Sequence, residues 1–220
     1  MGGMVPLGDA SRQPSRFPVM TTAIIVVNAL IFMLEIMGGD AFIRRWALSP
    51  ADISAGHHLI TIITAMFMHA GWMHIIGNMI FLHAFGPEVE DAMGPLRYGV
   101  FYLLCGVVAS LAQVAAAPHS TVLNLGASGA IAGVMGAFLV TYPADRIKTV
   151  FFFGIFFRTT FIPAALLIGV WFVIQIFDQV GSVASTQAGG GVAYVAHVAG
   201  MICGAVTARP FESFRRQWEG

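Results

Sequence analysis

No Asp, Glu, Lys or Arg stands between Arg97 and Asp145. A single membrane crossing takes about 20 residues, so the uncharged stretch from Tyr98 to Ala144 is too long for one and must hold two. Similar charge-free runs separate Asp52 from Glu88 and Arg158 from Asp178, and Asp178 is the only acid or base between Arg158 and Arg209. With 57% hydrophobic and 10% charged residues and a mean hydropathy of +0.80, the chain asks for lipid as its solvent. The net charge is zero, which argues against a nucleic-acid partner.

The expected fold class is an all-α membrane protein built as a six-helix bundle. Residues 1–17 read as a short mobile arm carrying Arg12 and Arg16. The apolar run after it is long enough to stay as a span and does not read as a removed leader. Span one covers roughly Pro18 to Met37, with Glu35 near its far end, where a carboxylate can reach the interface. Gly38-Gly39 breaks it. Residues 38–70 then read as a long structured loop, partly sunk in the headgroup layer, because Phe42, Trp46 and Leu48 alternate with Arg44 and Arg45. Span two runs from Gly71-Trp72 to about Phe85, and Gly86-Pro87 opens a charged turn to Arg97. Span three covers roughly Leu96 to Ala117. Span four starts near Ser128 and stops before Pro143. Span five runs from about Val150 to Phe177, kinked or interrupted near Arg158 to Pro163. Residues 178–191 form a Gly/Ser/Gln loop, span six covers roughly Val192 to Ala208, and a basic tail follows.

In this arrangement Arg12, Arg16, Arg97, Arg146, Lys148, Arg158, Arg209, Arg215 and Arg216 fall on one side. The positive-inside rule makes that side cytoplasmic, with both ends of the chain on it. Arg44 and Arg45 fall outside, in a loop long enough for the rule to weaken. The expected location is an integral multi-pass protein of a bacterial inner (plasma) membrane.

Span four opens with Gly126-Ala127-Ser128-Gly129 and places Gly129, Gly133 and Gly136 at i, i+4 and i+7. One helix face is therefore bare backbone, and another helix can come very close. Most serines at such seams only pack. Here the company argues for more. Span six carries His197 on one face with Gly200 and Gly204, at i, i+3 and i+7. A histidine inside a membrane helix is costly and marks function by default. Spans four and six both enter from outside, so they run parallel and Ser128 and His197 sit at similar depth. That pairing supplies a nucleophile and a base, or else a structural hydrogen bond. Asp178 is the nearest acid by sequence, yet it precedes the Gly/Ser/Gln loop, so the site reads as a dyad. His74 and Asn78, at i and i+4 in span two, share a face at the same level. With the Ser128 N–H they can hold charge on a carbonyl oxygen. His69 reads as support for its loop. His57, His58, His83 and His119 have no partner legible in the sequence. There is no His-Glu-x-x-His motif, so the reading includes no metal and no cofactor. Cys105 and Cys203 read as buried apolar residues.

Gly126-Ala127-Ser128-Gly129 opening a short span, His74 with Asn78, and Ala196-His197 followed by Gly200 and Gly204 stand in one order and spacing. Through them the chain resembles the rhomboid intramembrane serine proteases. The resemblance implies a rhomboid-like bundle over residues 18–208, a cytoplasmic arm at 1–17 and a cytoplasmic tail at 209–220. It implies Ser128 as nucleophile, His197 as general base, and His74, Asn78 and the Ser128 backbone as the oxyanion site. It also implies a movable cap at 178–191, a first loop near Trp46 lying in the outer leaflet, and single-span membrane proteins as substrates. They would be cut near helix-destabilising residues. The lipid bilayer is the other expected partner, and oligomeric state is not specified. A relative that only binds membrane helices without cutting them is the alternative, though such relatives usually lack the serine or the histidine. One position departs from the family pattern. Many members carry Tyr or Phe four residues after the serine, stacked on the histidine, and here that residue is Ala132.

Overall fold

The computed structural model describes residues 2–154, 156–173 and 190–212. The helices are α1 (Val19–Trp46), α2 (Pro50–Ser54), α3 (Thr61–Thr64), α4 (Trp72–Met93), α5 (Pro95–Ala116), α6 (Ser128–Thr141), α7 (Ala164–Val173) and α8 (Gly190–Phe211). A 3-10 turn, Ala65–Phe67, continues α3. Three strands accompany them: β1 (Gly2–Asp9), β2 (Arg146–Phe153) and β3 (Phe156–Pro163). Among the described residues, α1 and α5 are long and apolar enough to cross a membrane alone. The α3 segment with α4, bent by 89°, makes a third candidate. Helices α6 and α7 are shorter apolar helices.

The sheet corrects the all-α expectation in two places. Residues 150–163 are not the start of a span but part of an antiparallel hairpin, with Val150 opposite Thr159 and Lys148 opposite Phe161. The run Ile147-Lys148-Thr149-Val150-Phe151-Phe152-Phe153 is rich in β-branched and aromatic residues, which favour a pleated surface. Gly154 turns the chain at φ 63°. Residues 2–9 are not a mobile arm but the third strand, pairing antiparallel with β2 so that Val5 faces Val150. The register shifts between Pro6 and Gly8, where Pro6 has no N–H to give the ladder. Beyond the strand, Arg12 holds Asp145 through Nε at 2.5 Å and Nη2 at 3.2 Å, and its guanidinium lies 3.9 Å over the Tyr142 ring.

Helix α4 runs through Gly86-Pro87 to Met93, where a charged turn was expected. A proline inside a helix forfeits one hydrogen bond. Burial explains the continuation: Val89 and Ala92 are fully enclosed, and Glu88 and Glu90 are also buried. The Glu90 carboxylate accepts from Met20 N at 2.8 Å, Thr21 N at 2.7 Å and Thr21 Oγ1 at 2.8 Å. It thus caps α1, which has no side-chain cap of its own.

Helix α1 bends at Gly39 (φ 56°, ψ −151°), as the glycine pair implied, but then resumes to Trp46. The 38–70 stretch is accordingly more helical than the loop expected there. Glu35 is buried within the protein, not exposed as an interfacial carboxylate would be. It is 3% exposed, and both carboxylate oxygens accept the His69 N–H, at 3.1 and 3.0 Å. The loop thereby gains an anchor at its end. Cys105 and Cys203 are free, on α5 and α8. His57, His58 and His119 are exposed.

Candidate active site

Helices α6 and α8 make the most extensive helix contact in the fold. Glycines permit it. A Cβ on Gly200 would overlap the Gly129 carbonyl oxygen, and one on Gly204 the Gly133 carbonyl oxygen. The paired numbers rise together, so the two helices are parallel, as the span order required.

At the head of this seam, Ser128 Oγ and His197 Nε2 are 2.7 Å apart. Ser128 is the first residue of α6 and partly exposed, whereas His197 is 5% exposed. When the hydroxyl donates to Nε2, the ring proton sits on Nδ1. Among the described residues Nδ1 has no hydrogen-bond partner. Asp178 and the 178–189 part of the loop lie outside the described residues.

The chain before Ser128 is fixed by its neighbours. Leu48 and Asn124 exchange both backbone hydrogen bonds, at 3.0 and 2.7 Å, and Gly126 N donates to Ala65 O at 2.9 Å. Gly126 has φ 138°, and a Cβ there would lie 2.9 Å from His74 Cε1 and Nε2. Only glycine lets the His74 ring sit against the turn that presents the serine.

His74 Nδ1 accepts from Ala70 N at 3.3 Å, which leaves its ring proton on Nε2, the nitrogen beside Gly126. His69 meets the His74 ring edge-on at 5.1 Å. The loop anchored by Glu35 therefore also braces His74, which accords with the structural role read for His69. The Asn78 amide donates to His74 O at 3.0 Å, within its own helix. The structure thus joins Ser128 to His197 and sets His74 beside them, while Asn78 is bound to the backbone of His74.

A small, partly open cavity of about 70 Å³ reaches Ser128 and His197, with Ser110, Gln113 and Asn124 among its lining. That is room for at least one water molecule. Gln113 Nε2 donates to Asn124 Oδ1 at 3.1 Å. Sequence reasoning missed these residues, because neither side chain had a motif around it. It also missed Trp171, whose ring centroid lies 5.5 Å from that of His197.

The architecture is a bundle of apolar helices with a polar Ser–His pair at a glycine seam. A family profile described as the Rhomboid domain matches residues 56–213, so the chain belongs to the rhomboid family of membrane proteins. It is 37% identical over 93 residues to RHOMBOID-like protein 6, mitochondrial, of Arabidopsis thaliana, covering 42% of this chain and 30% of that protein. To Rhomboid protease GluP of Bacillus subtilis it is 31% identical over 134 residues, 59% of this chain and 26% of the relative. Putative rhomboid protease YdcA of the same organism is 32% identical over 124 residues, 56% of this chain and 62% of the relative. The chain matches only about a quarter to two fifths of the length of the first curated relatives.

Proposed function

We propose that this chain is a serine-type intramembrane endopeptidase that hydrolyses peptide bonds of single-span membrane proteins. The observation that carries the reading is the 2.7 Å approach of Ser128 Oγ to His197 Nε2 inside an apolar bundle. Ser128 Oγ attacks the scissile carbonyl while His197 Nε2 takes its proton. The Ser128 N–H, His74 Nε2–H and the Asn78 amide hold the resulting oxyanion. One such donor is worth about 3–4 kcal/mol. His197 then protonates the leaving amine, and water admitted through the Ser110–Gln113 cavity releases the acyl group.

The proposed topology keeps six spans over residues 18–208, with residues 1–17 and 209–220 on the cytoplasmic side of a bacterial inner membrane. The site then opens to the outer face. The first loop near Trp46 lies in the outer leaflet.

The test is cleavage of a single-span reporter by the full chain. Ser128→Ala and His197→Ala each abolish cleavage while the protein still accumulates. Cleavage at the wild-type rate in either variant removes the assignment. Reporter binding without cleavage in the wild type favours a helix-binding relative instead.

A further inference from the structure

Helix α7 brings one aromatic ring against the imidazole. The Trp171 and His197 ring centroids are 5.5 Å apart, with planes at 50°. The same indole lies 5.6 Å from Phe81 of α4, at 47°. Phe81 in turn stacks on Phe85 at 6.2 Å, and Phe85 is fully buried. The indole is therefore backed by α4 while it touches α8.

His197 needs such a neighbour. One hydrogen bond at Nε2 fixes a single point of the ring. The second imidazole torsion is broad, so a ring held at one point can tilt about it. In a Ser-His-Asp site a carboxylate at Nδ1 removes that freedom. Among the described residues nothing accepts from His197 Nδ1. On α6, position 132 offers only the methyl of Ala132, with no ring to stack. A flat, rigid side chain packed on the imidazole restricts its tilt by contact alone.

We propose that Trp171 is a positioning residue for His197: it holds the imidazole in the plane from which Nε2 meets the Ser128 hydroxyl. This deepens the protease reading and rests on it. Trp171 acts through His197.

The experiment uses the full chain in nanodiscs with the single-span reporter, and compares Trp171→Ala, Trp171→Leu and Trp171→Phe. Leucine keeps bulk without a ring, and phenylalanine keeps a ring. Expected is a fall in kcat of about ten- to a hundredfold for the alanine and leucine variants, the size of effect that small misplacement produces. KM stays within about twofold, because substrate binding is untouched. Phenylalanine restores most of kcat. Wild-type kcat in Trp171→Leu, or a Phe variant no better than the Leu variant, overturns the proposal. A second readout does not depend on cleavage. A protonated imidazole quenches an adjacent indole, so emission from the wild type falls as His197 gains a proton. That step is absent in His197→Ala and in Trp171→Phe. An unchanged titration in either variant overturns the contact. If the wild type fails to cleave the reporter, the protease reading falls and the fluorescence titration alone decides the contact.

Discussion

Replacing Gly204 by alanine tests the seam between α6 and α8. The new Cβ would stand 2.5 Å from the Gly133 carbonyl carbon and 2.6 Å from its Cα. Carbons rest at about 3.5–4.0 Å. All three nearest atoms are backbone, so no side chain can swing aside. The helices must part by about 1 Å, and overpacking of this kind costs about 1–3 kcal/mol. Added to the 2.7 Å between Ser128 Oγ and His197 Nε2, that displacement breaks the hydrogen bond. A misplacement of about 1 Å costs on the order of 100-fold in rate. The assay is the rate at which a fluorophosphonate labels the purified protein, with thermal unfolding followed in parallel. Gly77→Ala is the control, since a Cβ at Gly77 meets nothing within 4 Å. Expected is slow labelling and a lower unfolding temperature for Gly204→Ala alone. Labelling at the wild-type rate with unchanged unfolding would refute the reasoning.

Further consequences concern the cap of α1, the docked strand and the serine turn. Glu90→Ala strips three hydrogen bonds from the start of α1 and is expected to lower stability by about 2–4 kcal/mol, read by thermal unfolding; an unchanged midpoint contradicts it. Burial, and then the neighbouring Asp145 carboxyl, raise Asp9 to about 6. A carboxyl raised in the folded state favours that state when protonated, so its contribution is complete below about 3.8 and is lost as pH rises to about 6. Asp145 works in the opposite sense. Burial alone would raise it, but Arg12 holds it below the usual range, so its contribution is lost as pH falls below about 3.8. Between pH 4 and 6 the hydrogen-exchange protection of β1 should therefore decline in the wild type and stay flat in Asp9→Asn; parallel declines in both count against the linkage. Gly126→Ala places a methyl 2.9 Å from the His74 ring at a φ of 138° and should slow fluorophosphonate labelling, whereas an unchanged rate would mean that His74 does not need its place beside the turn.

What the sequence made legible was the part governed by short-range rules. Gly129, Gly133, Gly200 and Gly204 have helical spacing, and that spacing is enough to predict a close seam with Ser128 and His197 at one end of it. The start of α6 at Ser128 and the extent of α5 followed from composition in the same way. The hairpin was hidden because a run such as Val150 to Phe153 is as apolar as a span, and periodicity cannot separate the two when both faces lack charge. The strand at residues 2–9 was hidden because its partner lies far along the chain, at 147–153. Pro87 signals a helix end by local propensity, and tertiary burial of Glu88, Val89, Glu90, Ala92 and Met93 overrides it. At the site Trp171 went unread, and Glu35 was read as an interfacial carboxylate. Each contacts a histidine distant in sequence, and nothing around either residue marks that contact.

The most direct test of the Ser128–His197 pairing is fluorophosphonate labelling of the full chain, with the modified residue mapped by mass spectrometry. The account predicts an adduct on Ser128, none in Ser128→Ala, and labelling slowed by about 10²–10⁴-fold in His197→Ala, the share of rate that a positioned base supplies. An adduct on a different residue, or wild-type labelling in His197→Ala, would contradict it.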